Sequence, residues 1–255
     1  MPTVAVVQTR VDDGQWKSNL ARALALIDAA PDADIYLLPE LWTSGYAYDA
    51  WRDIAESGTP AVLAELVKLA KARNAAIGGS MISLDEASRL VNRFWYVSAG
   101  GRSWYDKIHL FPPLKEPELL TPGASRVRVE AGGLTLGLST CFDLRFPTMY
   151  RRDALDGAHA FLVASEWPAS RADALRTFSR SRALENQAYL VLCNRTGVAA
   201  DGLEFGGGSV IFSPMGAVLA ELGSEEGCAI AELDAKVVED LRSSFPVLSL
   251  ETADA

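Results

Sequence analysis

Histidine and cysteine are scarce in this chain. Among 255 residues there are two histidines, His109 and His159, and three cysteines, Cys141, Cys193 and Cys228. No Cys-x-x-Cys or His-x-x-x-His spacing occurs, so neither a zinc site nor any other metal is expected. His159 precedes the apolar run Ala160–Ala164 and reads as structural. An odd number of widely spaced cysteines does not form a disulfide framework, and a reducing cytoplasm is the simplest setting. No apolar stretch reaches the length of a membrane span. The N-terminus lacks a basic segment ahead of its first apolar run, so neither a signal peptide nor a membrane partner is expected. Positive charge is also in deficit: 24 Lys and Arg stand against 33 Asp and Glu, a formal charge of −9. Such a chain has no general electrostatic reason to bind nucleic acid. No Gly-x-Gly-x-x-Gly opens a helix, and Gly206-Gly207-Gly208 leads into a strand pattern, so it reads as a tight turn rather than a phosphate cradle.

What is present is an alternation of apolar β-type runs with helical stripes. Strands are expected over Thr3–Gln8 and Asp34–Leu38, then over Ala75–Ser83, Arg89–Ser98 and Arg102–Tyr105. The later part of the chain predicts strands within Arg126–Thr140, over Ala158–Ala164 and Ala188–Asn194, and three short ones within Ser209–Asp234. Helical periodicity covers Gln15–Ala30, Pro60–Arg73, Pro147–Gly157, Ser170–Gln187 and Ala235–Ser243. Leu110–Gly123 carries four prolines without periodicity and reads as a long ordered loop. With no linker in the sequence, residues 1–255 are expected to form one domain with a tail from about residue 244. So many strands exceed one comfortable open sheet. Two sheets face to face, with helices outside, would bury both apolar sets.

Three chemically useful side chains each follow an apolar strand. Glu40 ends Asp34-Ile-Tyr-Leu-Leu-Pro-Glu40, Lys107 ends Trp104-Tyr-Asp-Lys107, and Cys141 follows Leu134–Thr140. Pro147 shortly after Cys141 suits the first turn of a helix, which places the thiol in a sharp strand-to-helix turn. Each residue alone has a bland reading: a buried thiol, a surface carboxylate, a surface lysine. Together they supply what amide cleavage needs, since strand ends on one sheet edge converge on one crevice. A thiol attacks the carbonyl, a carboxylate moves the proton, and a fixed cation holds the oxyanion.

These segments carry a resemblance. Leu37-Leu-Pro-Glu-Leu-Trp-Thr-Ser-Gly45, Tyr105-Asp-Lys-Ile-His-Leu-Phe111 and Ser139-Thr-Cys-Phe-Asp-Leu-Arg-Phe-Pro147 appear in the order seen in the nitrilase superfamily of carbon–nitrogen hydrolases. Arg182-Ala-Leu-Glu-Asn-Gln-Ala-Tyr189 and Cys193-Asn-Arg195 add to it. The resemblance spans nearly the whole chain and implies an α/β four-layer α-β-β-α sandwich of two mixed sheets flanked by helices. It implies a catalytic set of Glu40, Lys107 and Cys141, with a second glutamate after the lysine that falls on Glu116 rather than Glu118. It also implies a homodimer, and no cofactor. Pro39–Gly45, Cys141–Pro147 and Trp167-Pro-Ala-Ser-Arg171 resemble the ω-amidase branch, which hydrolyses the side-chain amide of 2-oxo acids such as 2-oxoglutaramate. A carboxylate-bearing substrate requires a pocket cation, for which Arg145 is the candidate, with Phe142 and Trp167 as pocket walls. Two positions depart from that branch: Phe142 replaces a common tyrosine, and Glu166 an asparagine. A carboxylate at 166 aimed into the pocket would oppose an anionic substrate. The competing readings are another amidase or N-carbamoyl hydrolase of the same superfamily and, from a different class, a non-catalytic small-molecule-binding protein with a redox-sensitive thiol.

Overall fold

A computed structural model describes residues 1–250, so the last five residues of the expected tail lie outside the described part. The first half of the chain supplies strands β1 (Thr3–Gln8), β2 (Ile35–Leu37), β3 (Ala76–Leu84), β4 (Leu90–Ser98) and β5 (Gly101–Asp106). Next come β6 (Arg128–Ala131), β7 (Leu134–Thr140), β8 (Ala160–Ser165) and β9 (Tyr189–Asn194), then a hairpin of β10 (Thr196–Val198) and β11 (Glu204–Gly206). The last strands are β12 (Val210–Phe212), β13 (Val218–Glu221) and β14 (Gly227–Glu232).

Two six-stranded sheets result, ordered β14-β1-β2-β3-β4-β5 and β13-β12-β9-β8-β7-β6. Each is mixed. The central trios β1-β2-β3 and β7-β8-β9 are parallel, and the outer pairs are antiparallel.

Side-chain alternation along each strand builds the layers. Val4 and Val6 of β1 and Ile35 and Leu37 of β2 turn toward the second sheet, where they join Leu136, Leu138 and Leu162. Their neighbours Ala5, Val7 and Tyr36 turn the other way, onto Ala23 and Ile27 of helix Trp16–Ala29 and Val62 and Leu66 of helix Thr59–Arg73. On the far side of the second sheet, helices Pro147–Leu155 and Ala172–Asn186 contribute Tyr150, Ala154, Leu175 and Ala183. The layers run helix, sheet, sheet, helix, the sandwich that the resemblance implied. Because both faces of the central strands are covered, those strands are buried along almost their whole length rather than alternating between buried and exposed.

Three local features differ from the sequence expectation. Leu110–Gly123 holds a turn of 3-10 helix at Pro112–Leu114 and a short helix at Glu116–Leu119. Pro117 is tolerated there because it sits in the first turn, where its missing N–H would have no partner. The hairpin of β10 and β11 was not anticipated. Helix Ala172–Asn186 starts two residues later than expected, behind a 3-10 turn at Ala169–Arg171. Among the described residues, no helix is long and apolar enough to cross a membrane.

Candidate active site

Cys141 stands one residue beyond β7, with φ of 48°, in the left-handed region that non-glycine residues rarely enter. Holding it there costs about 1–3 kcal/mol, and the surrounding bonds resist relaxation. Asp143 is the anchor. Its Oδ2 accepts the Thr140 N–H at 2.9 Å and the Tyr105 hydroxyl at 2.7 Å. Its Oδ1 accepts the His109 N–H at 3.1 Å and faces His109 Nδ1 at 2.7 Å. One buried carboxylate thereby ties the turn carrying the thiol to the segment carrying Lys107. Pro147 opens the next helix at its first position.

Glu40 follows β2 and is fully buried, as are Lys107 and Glu116. Leu41 beside Glu40 and Lys115 beside Glu116 also have positive φ, 41° and 55°. All three acid or thiol groups are therefore presented from tight backbone turns. Lys107 Nζ donates to Glu40 Oε1 at 2.8 Å and to both oxygens of Glu116 at 2.9 and 2.7 Å. Asn92 Nδ2 donates to the same Glu40 Oε1 at 2.8 Å. Among the described residues Glu40 Oε2 receives no N–H or O–H donor, and the Cys141 thiol interacts with the Glu40 carboxylate. Glu116 also accepts the Phe111 N–H at 2.7 Å and the Tyr46 hydroxyl at 3.0 Å. Glu118, the alternative acid in that loop, is exposed.

Charge balance in this closed space sets the protonation states. Burial pulls Lys107 toward its neutral form, but Glu116 and Glu40 outweigh it, and the ammonium titrates well above its ordinary range. Burial raises Glu40; Lys107 opposes that and Glu116 adds to it, so its carboxyl stays above the usual carboxylate range. Burial and the Glu40 charge together push the Cys141 thiol well up, against the pull of Lys107. The thiol is therefore protonated at rest, beside a carboxylate whose basicity has been increased.

Over Cys141 lies a narrow cleft lined by Phe111, Phe142, Arg145, Glu166, Trp167 and Arg171, among others. The three positions expected at the pocket, Phe142, Arg145 and Trp167, all line it. The Arg145 guanidinium stacks between Trp167 and Phe178, 5.1 and 4.9 Å from the ring centres. Among the described residues no carboxylate pairs with Arg145. The Glu166 side chain is fully buried and takes the Arg195 guanidinium on its Oε1. Among the described residues, no group of three or more His, Cys, Asp or Glu side chains is arranged to hold a metal ion.

Sequence reading missed Asn92, Tyr46 and Arg171. Asn92 had a usable signal, being a polar residue on the strand face it shares with Phe94 and Tyr96. Tyr46 and Arg171 sit in loops, where nothing in the pattern of apolar residues fixes direction.

Comparisons agree with the geometry. Residues 3–243 match the carbon–nitrogen hydrolase family. The chain is 34% identical to the 2-oxoglutaramate amidase of Paenarthrobacter nicotinovorans, over 98% of this chain and 90% of that protein. Its fold is similar to that of XC1258 from Xanthomonas campestris, a CN-hydrolase superfamily protein solved with an arsenic adduct in its active site. The TM-score is 0.91 and the identity 28%, over 99% of this chain and 97% of the other. A mutant of the amidase from Nesterenkonia sp. AN1, solved after Michael addition of acrylamide at its active-site cysteine, is similar with a TM-score of 0.85 and 26% identity, over 98% of this chain and all of the other. The chain belongs to the carbon–nitrogen hydrolase family, and it is an enzyme that hydrolyses carbon–nitrogen bonds other than peptide bonds.

Proposed function

We propose that this enzyme is an ω-amidase: it hydrolyses the terminal amide of a small 2-oxo acid such as 2-oxoglutaramate, through a thioester on Cys141. The carrying observation is the closed Glu40–Lys107–Glu116 network beside a protonated thiol at the floor of a cleft. Glu40 Oε2 takes the thiol proton as the sulfur bonds to the amide carbon. The carbonyl oxygen becomes an oxyanion, held by Lys107 and the Phe142 main-chain N–H. As the carbonyl re-forms, the C–N bond breaks and Glu40 returns the proton to the departing nitrogen, which leaves as ammonia. Glu40 then takes a proton from water while the hydroxide adds to the thioester, and collapse releases the carboxylate and restores the thiol. Glu116 holds Lys107 and, through Phe111, the cleft wall in register with Glu40.

Substrate class follows from Arg145. Its guanidinium, stacked on rings and paired with no carboxylate among the described residues, is a cation preset for the distal carboxylate of the substrate, and Phe142 and Trp167 wall the chain between. The buried pairing of Glu166 with Arg195 offsets a negative charge beside the cleft. The likeness to the Paenarthrobacter amidase supports the same class. We read residues 1–255 as one hydrolase domain, acting as a homodimer in the cytoplasm, a setting consistent with three cysteines free of disulfides.

Ammonia release from a panel of amides tests this reading. The panel holds 2-oxoglutaramate, 2-oxosuccinamate, an N-carbamoyl amino acid, a neutral aliphatic amide and a nitrile. The 2-oxo acid amides should exceed the neutral amide in kcat/KM by about tenfold or more, the worth of one charge-assisted contact. Preference for the neutral amide would overturn the substrate class. No ammonia from any member would return the chain to the small-molecule-binding reading.

A further inference from the structure

The peptide unit between Ser165 and Glu166 lies where three functional strands meet. It leaves β8, which runs between β9 and β7. On the β9 side, its carbonyl oxygen accepts the Arg195 N–H at 3.2 Å and also the Glu40 N–H at 3.3 Å. A trans peptide points its N–H opposite to its carbonyl, toward β7. The parallel register sets Thr140 beside Ala164, so the next residue on that side is Cys141. The Glu166 N–H accordingly faces the Cys141 sulfur and favours its ionised form. One rigid peptide holds the base by its carbonyl and the nucleophile by its N–H.

The Glu166 side chain fixes that peptide. It is completely buried and bonded to Arg195, whose side chain is equally buried. Arg195 donates from Nη2 to the Val11 carbonyl at 2.7 Å, stacks 4.2 Å over the Phe205 ring and lies 3.5 Å from Asp13. On the other flank, the Trp167 N–H donates to Asn194 Oδ1 at 2.8 Å. The buried pair is thus an anchor behind the nucleophile, on strands that carry neither Glu40, Lys107 nor Cys141. Burial raises the Glu166 carboxyl to about 8 against the pull of Arg195 and with Glu40 adding to the rise. The Arg195 hydrogen bond needs only an acceptor oxygen, which a carboxylate, a carboxylic acid and a glutamine amide all supply.

We propose that Glu166, anchored by Arg195, is a positioning residue that aims its own main-chain N–H at the Cys141 sulfur and stabilises the thiolate as it forms. The proposal rests on Cys141 being the nucleophile, as argued above.

The test is the pH dependence of Cys141 alkylation by iodoacetamide, read peptide by peptide by mass spectrometry, with kcat and KM measured alongside. Glu166→Ala leaves the peptide without its anchor. Its alkylation profile should move to higher pH by about one unit, and its rate at neutral pH should fall about tenfold, the worth of one hydrogen bond to a charged group. Its kcat should fall and its KM change little. Glu166→Gln keeps the acceptor and should stay within about twofold of the parent protein. Should Glu166→Ala fail to fold around an Arg195 left with Asp13 as its carboxylate partner, the double variant Glu166→Leu with Arg195→Met removes both charges of the pair together, and the same upward shift is expected. A purely electrostatic role predicts the reverse: both Glu166→Gln and Glu166→Ala would move the profile to lower pH by removing a neighbouring negative charge. That result, or an unmoved profile in the folded variants, overturns the proposal. Failure of the underlying thioester reading shows separately, as ammonia release that survives complete alkylation of Cys141 in the parent protein.

Discussion

Cys141 and Cys193 are both buried thiols at the ends of apolar runs on strands of the same sheet, and only one is placed for chemistry. Cys193 lies inside β9 in regular extended backbone and donates to the Val7 carbonyl at 3.3 Å. Burial pushes its thiol far up, and among the described residues no carboxylate or lysine contributes to that shift. Cys141 has passed the end of β7 into a left-handed turn, where Glu40, Lys107 and the Glu166 N–H surround it. Burial raises both thiols, so burial does not distinguish nucleophile from spectator. One residue of strand length does: a cysteine inside the strand meets only the neighbouring sheet, and a cysteine just beyond it meets the ends of several strands.

That contrast can be broken most sharply by substitution. Cys141→Ala should lose ammonia release by on the order of 10⁴- to 10⁶-fold, and Cys193→Ala should keep most of it. Glu40→Gln keeps the shape and the Asn92 contact but removes the proton acceptor, and its turnover should fall by about 10²–10⁴-fold. Lys107→Met should cost about 10²–10³-fold through the oxyanion, with a further loss of stability, since it leaves two buried carboxylates without their cation. Arg145→Met should raise KM for 2-oxoglutaramate by about tenfold and leave a neutral amide unchanged. Smallest is the stability effect of Cys193→Ala, about 1 kcal/mol in a urea melt, with activity retained.

The pH profile sharpens the same comparison. Glu40 must be ionised to accept the thiol proton, and its pKa lies above the ordinary 4.5. The acid limb of kcat/KM should therefore lie above pH 4.5, with activity lost as pH falls through the raised pKa. Lys107, raised by both glutamates, keeps its charge well into the alkaline range and contributes no loss of activity there. An acid limb at or below the ordinary glutamate value would remove Glu40 from the role of base.

Much of this was legible from the chain because the physics involved is local. β2, β7, β8 and β9 are buried on both faces, so each reads as a predominantly apolar run ending where a functional group begins. Pro147 marked the helix start after Cys141 for a covalent reason, its fixed φ. The hairpin of β10 and β11 stayed hidden because three-residue strands rich in glycine carry no period. The helix at Glu116 was masked by prolines, although one of them occupies the position where proline is harmless. The direction of Glu166 could not be read at all. It is set by Arg195 on the adjacent strand, and the partner of a buried charge is fixed by register between strands, not by either segment alone. Asn92 lies between these cases: its inward polar position was visible, its partner Glu40 was not.

The central claim is that the acyl group passes through the sulfur of Cys141. It is tested most directly by acid-quenching the enzyme during turnover of 2-oxoglutaramate and mapping the acylated peptide by mass spectrometry. The account predicts a 2-oxoglutaryl group on the Cys141 peptide and none on the Cys193 peptide. An acyl group on Cys193 or on Glu40 would contradict it.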